Sequence, residues 1–219
     1  YVFRFRSERL HGGHPPGDRS RKVQQIAIPG SHVLPNPSSP AIVWFRNDLR
    51  LEDNPALNAA IERGGPVVCL YVLEEGVEAL RSLGGASKWW LHHALERLSE
   101  DITALGGTLT LRRGDPRAIL IELQKETAAE AVFWNRRYSE PEKSIDAEVK
   151  SALKSRDIDT TSFNGSLLAE PWAFKTGSGS YYKVFTPFWK ALQANYTAPP
   201  SLGRPNAISQ ATRCRELSH

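Results

Sequence analysis

Five short apolar segments recur along the middle of the chain, at residues 41–45, 67–73, 108–113, 131–135 and 157–163. Three of them, the first, second and fourth, are almost continuously apolar, which is typical of parallel strands buried on both faces. The third alternates apolar and polar residues, and the fifth is more polar, as expected of an edge strand. The pattern therefore predicts five β-strands.

The segments between these strands predict helices. Asp53 and Ser87 are the expected N-caps of the first two, and residues 114–116 (Gly-Asp-Pro) begin the third. A fourth helix is predicted from about residue 141 to 156. Strands that alternate with helices through short connections predict an α/β fold, a five-stranded parallel doubly wound (Rossmann-like) sheet flanked by helices.

Composition changes at both ends of this region. Residues 1–40 are rich in Arg, Pro, Ser and Gly and predict an unstructured lead-in. Residues 41–196 form the predicted domain, which ends in an aromatic segment and a helix from residue 184. Residues 197–219 have no apolar periodicity, and we expect them to form an unstructured tail.

The net charge of +4 lies outside the predicted domain. Residues 1–39 carry +4 and residues 197–219 carry +2, whereas residues 40–196 carry −2. The domain thus lacks the basic excess that phosphates attract, and we expect no direct DNA binding. No apolar run is long enough to cross a membrane. With two cysteines and no disulfide framework, a reducing, cytoplasmic location is expected.

Parallel sheets bind ligands outside the carboxyl ends of their strands, here residues 46–50, 74–75, 114–115 and 135–142. The first of these turns, RNDLRLED, has none of the glycines of a dinucleotide-binding loop, and the chain has no P-loop. No hydrolase G-x-S-x-G turn is present either.

His92 and His93 are adjacent on a predicted helix, so we expect them to face different directions. Neither has the spaced partners of a zinc site, and they are interpreted as surface residues.

Five segments, in order, resemble the photolyase/cryptochrome family. They are IVWFRNDLRLEDNPAL at 42–57, ASKWWLHHALERL at 86–98, GDP at 114–116, VFWNRRYSEPEKSID at 132–146 and YKVFTPFWKA at 182–191. The resemblance covers about residues 41–196. It implies the family's α/β antenna domain, which holds a light-harvesting pigment and precedes a helical domain that holds FAD and ultraviolet-damaged DNA.

The resemblance ends before the segments that carry FAD and substrate in the family, so we expect no catalytic residue and no FAD binding in this chain. The isolated chain is then an antenna-chromophore-binding module of a DNA photolyase that does not itself repair DNA. Two alternatives stay open: a non-enzymatic cryptochrome-like photoreceptor or interaction domain, and a generic nucleotide-binding α/β protein.

The candidate cofactor-binding residues are Arg46, Asn47, Asp48, Tyr138 and Glu142. The first three follow strand one, where they either contact a ligand or form an ion-pair network that shapes the turn. Glu142 falls where folate-binding members place a carboxylate that accepts N–H bonds from the pterin, and it also fits the first turn of a helix. Tyr138 either stacks on the pigment or packs in the protein.

Deazaflavin-binding members of the family place acidic residues near positions 137 and 139 and an arginine at position 47. This chain has Arg137, Ser139 and Asn47 there. The resemblance therefore favours methenyltetrahydrofolate over deazaflavin, with an empty pocket as the remaining possibility.

The tryptophans are predicted to divide between the core and the surface. Trp44 and Trp134 are predicted to lie in the core, together with either Trp89 or Trp90. Trp172 and the aromatic residues near the end of the domain are predicted to be exposed. The latter, Phe185, Phe188 and Trp189, form an apolar surface that favours association with a partner.

Overall fold

The structure is a computed structural model that describes residues 39–77 and 80–210. Its strands are β1 (Ala41–Phe45), β2 (Val67–Leu73), β3 (Leu109–Arg113), β4 (Ala131–Asn135) and β5 (Asp159–Phe163). They form one parallel sheet in the order β3-β2-β1-β4-β5. The predicted sheet is confirmed, with β5 at an edge.

The helices are α1 (Pro55–Glu62), α2 (Gly85–Ala104), α3 (Pro116–Thr127), α4 (Glu140–Lys154) and α5 (Phe185–Asn195). Successive side chains of a strand point to opposite faces, so each strand contributes to two cores. Val43 and Phe45 of β1 pack on the side of α1 and α2, whereas Ile42 and Trp44 pack on the side of α3 and α4. Helices thus cover both faces, as a doubly wound fold requires.

The strand order reverses at β1. The chain runs outward from β1 through β2 to β3, then returns to place β4 on the other side of β1. In open α/β sheets, the carboxyl ends of the strands at such a reversal form a crevice. The topology therefore places such a crevice next to the residues that follow β1 and β4.

Two predicted N-caps are wrong. Asn54 caps α1, since its Oδ1 accepts a hydrogen bond from the Leu57 N–H at 3.1 Å. Asp53 instead has a φ of 50° and belongs to the preceding turn. The second helix begins at Gly85, which places Ser87 inside its first turn.

The prediction that Trp44 and Trp134 lie in the core is confirmed, since they are 0% and 1% exposed. The same prediction for α2 is wrong, because Trp89 and Trp90 are 66% and 62% exposed. Helical spacing alone could not show that α2 contacts the sheet mainly through its second half, where Leu98 and Ile102 are buried.

Residues 202–210 pack against the domain, which corrects the expectation of an unstructured tail for this stretch. Ile208 is 3% exposed and joins the core on the α1–α2 side. Its N–H donates to the Leu105 carbonyl at 2.8 Å, and Gln210 bridges to Val67 at the amino end of β2. A Cβ at Gly107 would lie 3.0 Å from Ile208 Cγ2, so glycine permits this close approach.

The predicted lead-in at residues 1–38 and the final residues 211–219 lie outside the described residues. Within the described part of the chain, no helix has the length and apolar character needed to span a membrane.

Replacing Ile208 with Ala should lower the free energy of unfolding by about 2–5 kcal/mol, because it removes a buried side chain and leaves a cavity. Leu111→Ala, at a position 54% exposed, is the control and should change stability by less than about 0.5 kcal/mol. Urea denaturation followed by circular dichroism measures both. Equal effects of the two substitutions would contradict the docking of residues 202–210.

Candidate functional site

Four buried polar residues lie at the carboxyl ends of β1 and β4, at the strand reversal. Arg46, Asp48, Asn135 and Arg137 are 4%, 5%, 3% and 9% exposed. Buried charges require partners, because removing them from water is unfavourable unless other charges and hydrogen bonds compensate.

The two arginines meet at a shared carboxylate on α4. Arg46 Nη1 and Arg137 Nη2 lie 2.5 Å and 3.0 Å from the same Oδ1 of Asp146. Arg137 Nη1 also donates to Glu74, which follows β2, at 2.8 Å. We call Arg46, Arg137, Asp146 and Glu74 the arginine–carboxylate cluster. It joins β1, β2, β4 and α4 at the carboxyl edge of the sheet.

Burial and neighbouring charge act differently on the two guanidinium groups. Burial lowers the pKa of Arg46, and Arg137 lowers it further, whereas Asp146 raises it. Burial also lowers the pKa of Arg137, but Glu74 and Asp146 outweigh it and raise that pKa overall. Both guanidinium carbons also lie over the Trp44 ring, 4.4 Å and 5.5 Å from its centroid.

Asp48 shapes the turn after β1. Its Oδ1 accepts from the Arg46 backbone N–H at 2.8 Å, and its Oδ2 accepts from Asn135 Nδ2 at 2.5 Å. The same Asn135 amide donates to Asn54, the α1 N-cap, at 2.9 Å. A Cβ at Gly165 would lie 2.5 Å from Asn135 Cγ, so the neighbouring loop also needs a glycine here. Every carboxylate oxygen of Asp48 is thus engaged inside the protein.

A cavity of about 690 Å³ opens beside the cluster. Arg46, Asn47 and Glu142, three of the five predicted residues, line it together with Arg137 and residues that follow β2. Glu142 accepts from Ser139 Oγ at 2.6 Å and from Asn47 Nδ2 at 3.4 Å. Three of the residues singled out in the sequence therefore lie on one wall of this cavity, and their part in binding stays a prediction.

Tyr71 contributes a phenol to the same cavity. Burial raises its pKa to about 12, and the nearby charge of Glu74 adds to the effect. The phenol is therefore protonated at neutral pH and can donate a hydrogen bond. Lys88 and Arg81 supply positive charge at other points of the wall.

Tyr138 does not face this cavity. Its hydroxyl donates to Glu170 at 3.1 Å, and its ring lines a second cavity on the other side of β4. The prediction that Tyr138 contributes to the same site as Arg46 and Glu142 is not supported by this arrangement. The side chain that follows β4 on the cavity side belongs to Arg137.

Sequence reasoning missed Arg137, Asp146, Glu74 and Tyr71 as individual site residues. Two of them could have been found from their positions in the sequence, because Glu74 and Arg137 fall in segments at the carboxyl ends of strands. Asp146 lies one helical turn beyond Glu142 on α4, so an i, i+4 comparison would have placed both carboxylates on one face.

His92 and His93 are exposed, as predicted, but they do not point apart. Their ring centroids are 5.1 Å from each other, and Glu96 contacts His93 Nδ1 at 3.3 Å. All three ligand atoms lie within 4.8 Å of one another. Exposed groups on one helix lack the enclosing ligands of a structural metal site, and we assign no metal to them.

The sequence profile of the DNA photolyase family matches residues 41–206, which include every element described above. This chain belongs to the DNA photolyase family. The chain is 47% identical over 158 residues to the deoxyribodipyrimidine photo-lyase of Agrobacterium fabrum, covering 72% of this chain and 32% of that protein. It is 39% identical over 170 residues to cryptochrome-1 of Arabidopsis thaliana, covering 77% of this chain and 25% of that one.

A solved structure shows the same architecture. The bacterial class III photolyase from Agrobacterium tumefaciens superposes with a TM-score of 0.74 at 43% identity, over 79% of this chain and 35% of that chain. The chain thus spans between a quarter and just over a third of the length of these three relatives. The expected family and α/β fold are confirmed, and family membership implies chromophore cofactors.

Replacing Asp146 with Asn should lower the free energy of unfolding by about 3–5 kcal/mol, because it leaves two buried guanidinium groups without their shared anion. Glu140→Gln, on the same helix with a side chain 81% exposed, should change it by less than about 1 kcal/mol. Chemical denaturation of the two variants makes the comparison. Near-native stability of the Asp146→Asn variant would show that the arginine–carboxylate cluster contributes little to the free energy of unfolding.

Proposed function

We propose that this chain is the antenna-chromophore-binding α/β domain of a light-driven DNA-repair flavoprotein and that the cavity beside the arginine–carboxylate cluster holds the pigment. The supporting observation is the position of the cavity. A space of about 690 Å³ opens where the strand order reverses, in a domain of the DNA photolyase family.

The residues of the cavity wall fit a reduced folate. Glu142 offers carboxylate oxygens to the amino-pyrimidine edge of a pterin, and Tyr71 and Asn47 offer hydrogen-bond donors. Lys88 and Arg81 suit the carboxylates of the folate glutamate. We therefore propose methenyltetrahydrofolate as the pigment and place deazaflavin second, because position 47 is Asn and position 137 is a buried, paired Arg.

When bound, the pigment would supply absorption of near-ultraviolet light and transfer of that energy to a flavin. This chain's residues bind and orient it. Arg46 and Arg137 are locked by Asp146 and Glu74, so they form a fixed wall rather than adapting to the ligand. A rigid wall favours one orientation of the pigment, on which the efficiency of energy transfer depends.

In this proposal, the cleavage of pyrimidine dimers and the binding of FAD belong to the region of the family's longer proteins that this chain does not cover. The described domain supplies no catalytic residue to the reaction. Residues 40–196 carry a net charge of −2, and damaged DNA is therefore assigned to the whole flavoprotein rather than to this domain.

Purified chain incubated with methenyltetrahydrofolate should retain a near-ultraviolet absorbance band after desalting. Glu142→Gln should weaken folate binding by about tenfold or more, because a charge-assisted hydrogen bond is replaced by a neutral one. Glu140→Gln is the matched control on the same helical turn, outside the cavity, and should bind like the unchanged chain. Spectroscopic titration gives the three affinities.

Two results would reject the pigment assignment. One is a folded chain that retains no folate at saturating concentration. The other is retention that Glu142→Gln and Glu140→Gln leave equally unchanged. Retention of a deazaflavin in place of folate would keep the cavity and correct the pigment.

A second candidate role rests on an exposed aromatic surface, which we define as Phe185, Phe188 and Trp189. Phe185 and Trp189 are 70% and 41% exposed and stack at 6.1 Å with an interplanar angle of 12°. Phe188 is less exposed than expected, because it packs edge-on against Phe174 and Tyr182. Trp172 is 52% exposed, in line with its prediction.

Exposed aromatic pairs of this kind are typical of protein contacts. We propose that the aromatic surface contacts a helical, flavin-binding partner or domain. In a cryptochrome-like protein the same contact would serve signalling rather than repair.

The isolated chain should self-associate through this surface at concentrations of tens of micromolar. Replacing both Phe185 and Trp189 with Ser should shift it to monomer, since the apolar area that drives contact is lost. Leu168→Ser, 60% exposed on a loop, is the control and should leave association unchanged. Sedimentation velocity measures the distribution, and a monomeric unchanged chain would contradict self-association through this surface.

A further inference from the structure

A second cavity, of about 470 Å³, lies on the opposite side of β4 from the first. Its floor is formed by the end of β4 and by α4, and the loop that follows β5 closes one side. Arg136 fixes that loop, because its guanidinium lies 2.7 Å from Glu170. Tyr138 donates to the same carboxylate at 3.1 Å. The wall is therefore held to the sheet by an ion pair and a hydrogen bond.

Basic side chains of α4 line this second cavity. Lys143 and Lys150 are seven residues apart, which places them on one face of the helix, two turns from each other. Arg136 and Arg137 add two guanidinium groups, and Asp146 is the one carboxylate among the described lining residues. Asp146 is already bound to Arg46 and Arg137. Arg136 and Arg137 are paired as well, with Glu170 and Glu74, so the positive charge left for a ligand belongs to Lys143 and Lys150.

Lys150 is the cation most available to a ligand. Among the described residues, no carboxylate lies within 4.0 Å of its ammonium, and the two charged groups that act on its pKa, Lys154 and Arg136, are both cations. Burial lowers the pKa of Lys150, and these two cations lower it further. Lys143 has only an exposed partner, Glu140, at 2.7 Å, and exposed pairs of this kind exchange readily with other anions.

Aromatic rings line the other side of the same cavity. Trp172 and Tyr181 come from the loop after β5 and are 52% and 61% exposed. The Arg136 guanidinium lies 5.8 Å from the centroid of the Trp172 ring. Rings of this kind offer flat apolar faces on which a planar ligand can stack. The cavity volume lies within the ~300–1,000 Å³ range of small-molecule sites.

We propose that this second cavity is a separate binding site for a planar aromatic anion of mononucleotide size. The ring of the ligand contacts Trp172 and Tyr181, and its phosphate or carboxylate contacts Lys150 and Lys143. The site needs neither folate nor the first cavity, so it stands independently of the proposed antenna function.

Isothermal titration of the chain with adenosine monophosphate, adenosine and inorganic phosphate tests the proposal at low salt. Adenosine monophosphate should bind at least tenfold more tightly than either adenosine or phosphate, because it alone engages both the rings and the lysines. Lys150→Gln should remove the advantage of the monophosphate over adenosine. Trp172→Ala should weaken binding of both nucleoside ligands.

Matched controls lie outside the cavity. Lys190→Gln removes an exposed cation from α5, and Trp89→Ala removes a ring 66% exposed on α2. Both should bind adenosine monophosphate like the unchanged chain, and circular dichroism should show all variants folded. Glu142→Gln, in the first cavity, should also leave nucleotide binding unchanged, whereas Lys150→Gln should leave folate retention unchanged.

Three results would overturn the proposal. The first is equal affinity for adenosine and its monophosphate, and the second is no binding of either at millimolar concentration. The third is competition between folate and adenosine monophosphate for one site. Loss of folate retention in Glu142→Gln with nucleotide binding intact would support two separate sites.

Discussion

One oxygen of Asp146 lies between two buried guanidinium groups, and the architecture of the carboxyl edge depends on that contact. Arg46 follows β1, Arg137 follows β4 and Asp146 belongs to α4. One carboxylate therefore connects the ends of two strands to a helix. Glu74 extends the cluster to β2. In a low-dielectric interior these charges must remain paired, which limits the positions that the strand ends can take.

The two cavities lie on either side of this cluster, and Arg137 lines both. Its Nη1 and Nη2 groups, however, donate to Glu74 and Asp146. A ligand in either cavity would therefore meet the edge of a preformed charge network and find its specific partners elsewhere. In the two proposals these partners are Glu142, Asn47 and Tyr71 on one side, and the lysines of α4 and the rings of the loop on the other.

Hydrophobic patterning predicted the strands because each buried strand is apolar on both faces, as at β1 and β2. It failed where local sequence offered several equivalent choices. Asp53 and Asn54 are both good caps, and only the hydrogen bonds of Asn54 to Asn135 and Leu57 decide between them. Trp89 and Trp90 fit the helical period of α2, but no local signal marks where α2 leaves the sheet. Ile208 docks through contacts about a hundred residues away in sequence. The strand ends predicted from the sequence placed Arg46, Asn47 and Glu142 beside one another, and the three line one cavity; the side on which Tyr138 projects follows from the path of the chain after β4.

The return of the chain to the amino end of β2 also sets a length scale. Gln210 pairs beside Val67, and the first cavity opens at the other end of the same strand, after Leu73. A seven-residue strand separates these points by about 20 Å, given a rise of ~3.3 Å per residue. A dye attached at position 210 would therefore lie outside the cavity, at a separation short enough for resonance energy transfer to a bound chromophore whose spectrum overlaps that of the dye.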